Sequence, residues 1–355
     1  MLETLIDQWG DGIVLAAAGA ITGVLFGAAA QHSKFCLRAA TVEVAEARFG
    51  PRLSIWLIAF TAAVFAVQTA IAIGFLDVSQ ARPLAATGSM SGAIIGGLMF
   101  GCGMILARGC ASRLLILSAT GNLRALITGL VLTLVAQASL RGALSPAREW
   151  LGSLWLVQGG EGRNMLAQIG MSAPVAALIA GVSLLGALFF ARHRMVPLSE
   201  ALAGAGVGAA VGLGWMLTYL IAQTSFEAIA ISSVTFTGPS TDTLMGLVNE
   251  SELPWGFGLG LVPGVFVGAA GMALLRSEAQ IQRFGPDTPM ERYLVGAVLM
   301  GFGSMLAGGC AVGAGMSGGS IFAVTAWVAL FCMWIGAMVT HLLLLRPAFV
   351  GSAAT

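Results

Sequence analysis

Three cysteines stand where a thiol could do chemistry. Cys110 and Cys310 each close a Gly-Cys-Ala block, Gly109-Cys110-Ala111 and Gly309-Cys310-Ala311. Cys36 lies in His32-Ser33-Lys34-Phe35-Cys36-Leu37-Arg38, between two cations. A thiol is a weak donor and a soft, polarizable contact, and nearby Lys or Arg favours its more reactive thiolate form. These positions could therefore offer either soft contacts to a ligand or a nucleophile. Five cysteines in all, with no Cys-x-x-Cys, argue against a disulfide framework and a structural zinc site. His32, His193 and His341 are far apart in sequence, so neither a metal nor a cofactor is expected.

The two Gly-Cys blocks end a longer repeat. Gly96, Gly101, Gly103, Leu106, Ala107, Gly109, Cys110 and Ala111 recur identically at 296, 301, 303, 306, 307, 309, 310 and 311. Glycine allows a sharp turn and close approach to backbone. The run from Ala111 reads as a helix start, whose free amides favour an anion. The second copy, from Gly308 to Ser320, is richer in glycine and reads as a loop, and it carries Gly308 where the first has Arg108. Irregular backbone at membrane depth survives where it lines a pathway. The competing reading is tight packing of small residues, with cysteine as filler. Cys102 and Cys332 lie inside apolar runs and read as packing, as do Met99, Met104, Met300 and Met305. The expected counterpart of Cys36 falls in Ser232–Thr243, which has no cysteine. There, hydroxyls could replace the thiol as donors, or the stretch could be a solvated external loop.

Composition says what must position these residues. The chain has 355 residues, 57% hydrophobic and 9% charged, with mean hydropathy +0.91. That charge content is far below the soluble norm of about 25% and places the chain in lipid. A net charge of +1 gives no case for nucleic acid. The acidic start lacks the basic region of a secretory signal, so the first apolar stretch is expected to be retained. Nine segments reach spanning or near-spanning length: 12–30, 53–76, 88–107, 123–140, 173–191, 198–222, 255–275, 293–307 and 320–345. The expectation is an all-α polytopic membrane protein in one integral domain, 1–355. Unit 1 covers 12–140, a connector with one helix 141–197, and unit 2 198–345. An odd connector inverts unit 2, so the Gly-Cys loops enter from opposite faces. If those segments are re-entrant, Cys110 and Cys310 meet near mid-depth.

Lys34, Arg38, Arg48 and Arg52 mark 31–52 as cytoplasmic, and Arg276, Arg283 and Arg292 mark 276–292 likewise. The N-terminal tail and 223–254, with Glu227, Asp242, Glu250 and Glu252, read as external. The N-terminus is then outside and the C-terminus inside. Arg141, Arg148 and Arg163 break the pattern, because parity puts 141–172 outside. No acid is firmly placed within a span, which argues against cation substrates and suits an anion path of amides, thiols and hydroxyls.

Phe35-Cys36, Gly101-x-Gly103…Gly109-Cys110 and Gly301-x-Gly303…Gly309-Cys310 resemble the YeeE/YedE family of sulfur-compound transporters, over almost the whole chain. The resemblance implies an inner-membrane helical protein of two inverted halves. It implies uptake of thiosulfate, or of a related sulfur or selenium species, with no enzymatic step. By resemblance, Cys110, Cys310 and Cys36 contact the substrate, beside Gly109, Gly309, Ala111 and Ala311. A cytosolic TusA-like sulfur carrier is the implied partner. Lys34, Arg38 and Arg108 are candidate anion contacts from charge alone. Two other readings stand beside transport: a membrane sulfurtransferase forming a persulfide on Cys36, and an assembly subunit packing its glycine faces on another protein.

Overall fold

The computed structural model describes residues 2–248, 253, 255–283 and 290–345. Glu250 and Glu252 lie outside the described residues. Among those described, nine helical spans are long and apolar enough to cross a membrane. They comprise α1 (Asp11–Ser33) continued by the short α2 (Leu37–Ala45), and α3 (Pro51–Ala72). Next come α4 (Met90–Leu106) with α5 (Ala111–Ala119), α6 (Leu123–Arg141) and α7 (Ala173–His193). The second half has α8 (Leu198–Thr224), the short α9 (Thr237–Val248) and α10 (Phe257–Leu275). It ends with α11 (Met290–Leu306), the wide π-helix α12 (Ala311–Gly318) and α13 (Val324–Leu345). The only sheet among the described residues is one two-residue pairing, β1 (Gly88–Ser89) with β2 (Leu156–Val157).

Small residues set the packing. In lipid no hydrophobic force joins helices, so contact depends on close backbone approach. At the centre α4 and α11 cross antiparallel. A methyl built on Gly96 would stand 2.5 Å from the Gly303 carbonyl oxygen, and one on Gly303 would stand 2.7 Å from that of Gly96. Gly103 and Gly296 oppose each other in the same way, at 2.6 and 2.7 Å. The repeated glycines thus meet their own copies across a two-fold relation. Outer contacts follow suit. Gly101 faces the Met333 carbonyl on α13, and Gly301 faces the Leu132 carbonyl on α6. Gly23 of α1 faces the Leu261 carbonyl on α10, and Gly208 of α8 faces that of Ala59 on α3. Each half therefore covers the small-residue faces of the other.

The polar ends sort onto two faces. On one, Gln31 donates to Glu278, Arg276 meets His32, and Gln280 and Gln282 donate to the Thr120 and Gly121 carbonyls. On the other, Met90 N–H donates to the Trp155 carbonyl and Met165 N–H to that of Phe322. The 141–172 stretch so lies opposite the basic loop that begins at Arg276, and its arginines are largely engaged. Arg163 is buried, donates to Ala86 O at 2.7 Å and Thr325 Oγ1 at 2.6 Å, and stacks on Gly88. Burial and the nearby Arg82 lower its pKa below the ordinary guanidinium value. Arg148 donates to Ser139 O and pairs with Glu149. The buried Arg163 charge carries no topological signal, whereas Arg141 is exposed.

Candidate functional site

Each Gly-Cys block breaks a spanning helix, and the chain then steps back along its neighbour: Ala111 shares a wall with Thr133 of α6, and Gly315 lies against Leu330 of α13. α4 closes with Ala107 N–H on the Gly103 carbonyl and Gly109 N–H on that of Met104. α11 repeats this with Ala307 on Gly303 and Gly309 on Ser304. Arg108 takes the left-handed φ of 54° and Gly308 of 81°. Only the second position has the residue that conformation favours, so the first copy carries a backbone penalty to place an arginine there. Cys110 and Cys310 are then extended and head α5 and α12, each about 1% exposed. Ala111 and Ala311 follow as buried first helical residues.

Ala107 packs on Gly296 and Ala307 on Gly96, so α4 and α11 finish at opposite ends of their crossing. Cys110 meets Cys36, and the two thiols lie within interaction distance. Cys36 heads α2 after a tight turn in which Lys34 takes φ 55°. Cys110 Sγ also lies 3.3 Å from Ser112 Oγ.

Two cations face Cys36, and further arginines lie near one of them. Arg113 and Arg38 act on Cys36, and Arg108, Arg124 and Arg292 act on Arg38. Arg113 donates to Gln31 Oε1 at 3.4 Å, and Arg124 covers the buried Tyr293 ring. Arg38 and Arg108 thus belong to one cluster, and Lys34 lies in the turn before it. Arg113, Arg124, Arg292 and Gln31 were not legible as site residues, because α1, α5, α6 and α11 deliver them separately.

At the other break, Cys310 Sγ accepts from Gly313 N–H at 3.5 Å. Glycine-rich sequence suggested a loop from 311, but the chain winds into π-helix α12 instead. Thr235 lies directly against Gly313, and Ser317 Oγ donates to the Val234 carbonyl at 2.6 Å. The 232–243 stretch is therefore no solvated loop. Val234, Phe236, Thr237 and Thr241 are all 1% exposed or less. Phe236-Thr237 enters α9 as Phe35-Cys36 enters α2, and both phenylalanines pack on Phe26, with centroids at 5.1 and 6.5 Å. Thr237 Oγ1 is buried without a hydrogen-bond partner. The Phe-x step was the one sequence signal that could have singled it out. Cys102 donates to the Gly336 carbonyl at 3.6 Å and Cys332 packs on Gly97, away from the breaks. The histidines are held apart: His32 by Arg276, His341 by Glu46, His193 by Phe189.

Comparison with known proteins places this arrangement. Residues 32–339 match the profile of a family described as sulphur transport. The chain belongs to that family. A protein of Spirochaeta thermophila named thiosulfate transporter TsuA is 27% identical, covering 88% of this chain and 93% of its own length. An Escherichia coli protein of the same name is 24% identical, covering 95% and 97%. The chain is thus a multi-pass membrane transporter of sulfur compounds, and the matched span holds all three site cysteines.

Proposed function

We propose that this chain takes up thiosulfate, or a closely related sulfur oxyanion, along the line of its broken helices. The observation that carries this reading is the Cys36–Cys110 contact under an arginine cluster. Soft thiols suit the terminal sulfur of thiosulfate, and guanidinium groups suit its oxygens. The names of the two relatives support this substrate. A cleft of about 290 Å³ on the opposite face, lined by Gln68, Asp77, Ser79, Asn164 and Ile321, is the entrance. The anion passes Cys310 beside α12, then Thr237 at the Phe26–Phe35–Phe236 cluster, then Cys110 and Cys36. Amides at 109–113 and 309–314 take part of its charge, and the arginines receive it. Each contact is weak, as conduction requires, since binding must also release.

This reading puts the N-terminus outside, the arginine cluster in the cytoplasm, and the chain in the inner membrane as two inverted units, 12–140 and 198–345. A small TusA-like sulfur carrier would collect the product at the arginine mouth. The test is uptake of labelled thiosulfate into a host without its own sulfur importers, followed by growth on thiosulfate, sulfite or selenite alone. Label arriving as intact thiosulfate supports transport. A stoichiometric cysteine persulfide with released sulfite would replace it with sulfur transfer.

A further inference from the structure

The two halves differ in one buried region, and the difference is a hole. Where α2 and α3 of the first half meet α12 and α13 of the second, they enclose an aromatic ladder. Trp56 stacks on Phe60 at 5.2 Å, Trp334 meets Trp56 at 5.1 Å, and Trp327 meets Phe60 at 5.4 Å. The backbone contacts above fix the equivalent positions: Leu261 matches Ala59, and Leu132 matches Met333. Carrying the same offsets along each helix, Trp56 and Phe60 correspond to Gly258 and Val262, and Trp327 and Trp334 to Leu126 and Thr133. Three of these four smaller residues line a cleft of about 210 Å³ between α5, α6, α9 and α10. The fourth, Gly258, has Pro239 against it.

The walls say what would fill this cleft. Leu126, Leu130, Leu247 and Phe266 border it, and all are at least 40% exposed on the outside of the bundle. It therefore opens sideways, where the bilayer lies. Of its hydroxyls, those of Ser118, Thr133 and Thr243 donate to carbonyls of their own helices, while that of Thr237 is buried without a partner at the inner wall. Among the described residues no Lys, Arg, Asp or Glu lines it. An ion would find no opposite charge there, whereas a hydrocarbon chain meets a wall that is mostly apolar.

We propose that this cleft is a lipid site that holds one acyl chain of the surrounding bilayer in place of the missing ladder. The chain supports the wall formed by Ala111 and Phe236-Thr237, as Trp56, Phe60, Trp327 and Trp334 support the opposite half. The probe is a phosphatidylethanolamine–phosphatidylglycerol mixture, added back to full-length protein stripped of lipid in detergent. Native mass spectrometry should find one tightly retained phospholipid on the parent chain. Its melting temperature should rise by a few degrees on add-back, as expected for a ligand that binds only the folded state. Leu126→Trp with Val262→Phe, which rebuilds two rungs, should lose the retained lipid and melt at one temperature with or without it. Leu126→Ala, which enlarges the cleft, should keep the lipid and depend on it more. Equal lipid retention in the parent and the rebuilt variant, or none in either, overturns the site. Neither measurement uses a sulfur substrate, so the site stands or falls apart from the transport reading.

Discussion

At the residue scale the site is a set of neutral donors and soft atoms, each of which can be removed singly. Cys110 touches Cys36 and Ser112, and it is buried, so its replacement must conserve volume. Cys110→Ser keeps size and donor but loses softness; Cys110→Ala loses both. If the thiol meets the substrate, the alanine variant should slow thiosulfate uptake about fivefold to tenfold, the worth of one modest hydrogen bond. The serine variant should fall between, and the matching Cys310 pair should behave alike. Unchanged uptake in all four would leave these cysteines as packing. Thr237 offers a sharper test because its hydroxyl has no internal partner. Thr237→Val removes the donor at nearly constant shape. It should reduce uptake several-fold without lowering the melting temperature, and Thr237→Ser should restore it. Unchanged uptake in Thr237→Val would leave the hydroxyl with no part in the pathway.

At the element scale, crossing geometry matters more than any contact list. Gly96 packs where a side chain would overlap both the Gly303 carbonyl and the Ala307 amide nitrogen, the latter at 2.6 Å. Neither is the movable end of a side chain. Gly96→Val should therefore cost at least about 1–3 kcal/mol, the usual penalty of overpacking, and reduce the amount of folded protein recovered in detergent. Gly271 has nothing near its missing methyl, so Gly271→Ala is the control and should leave the yield unchanged. The long spans were legible because eighteen-residue apolar windows leave little choice. Helix α9 was not, since Thr, Gly, Pro and Ser from 237 to 243 carry turn chemistry. It forms because its hydroxyls bond back within the helix, Thr241 to the Thr237 carbonyl and Thr243 to that of Pro239. α12 was hidden for a similar reason, as glycine content alone cannot tell a loop from a helix held by its surroundings. The three site cysteines were legible from spacing and neighbours. That Cys110 meets Cys36 was not, because it depends on which helix end reaches which turn.

At the scale of the molecule the two halves are interleaved rather than docked. α1 lies along α10, α8 along α3, and α4 is clasped between α11 and α13. Each contact joins one half to the other, so neither half buries its own small-residue faces. In lipid, such faces gain nothing from solvent exclusion and hold together only against the matching backbone. The turn at 194–197, with Met195 87% exposed, is the one short link between α7 and α8. Cutting the chain there should separate the halves in sequence and not in space. Residues 1–194 and 195–355, made together, should co-purify through a tag on either and support uptake. Either half made alone should be degraded or aggregate. Uptake by one half alone would mean that it folds on its own small-residue faces, and the interleaved architecture, with the pathway drawn across it, would be wrong.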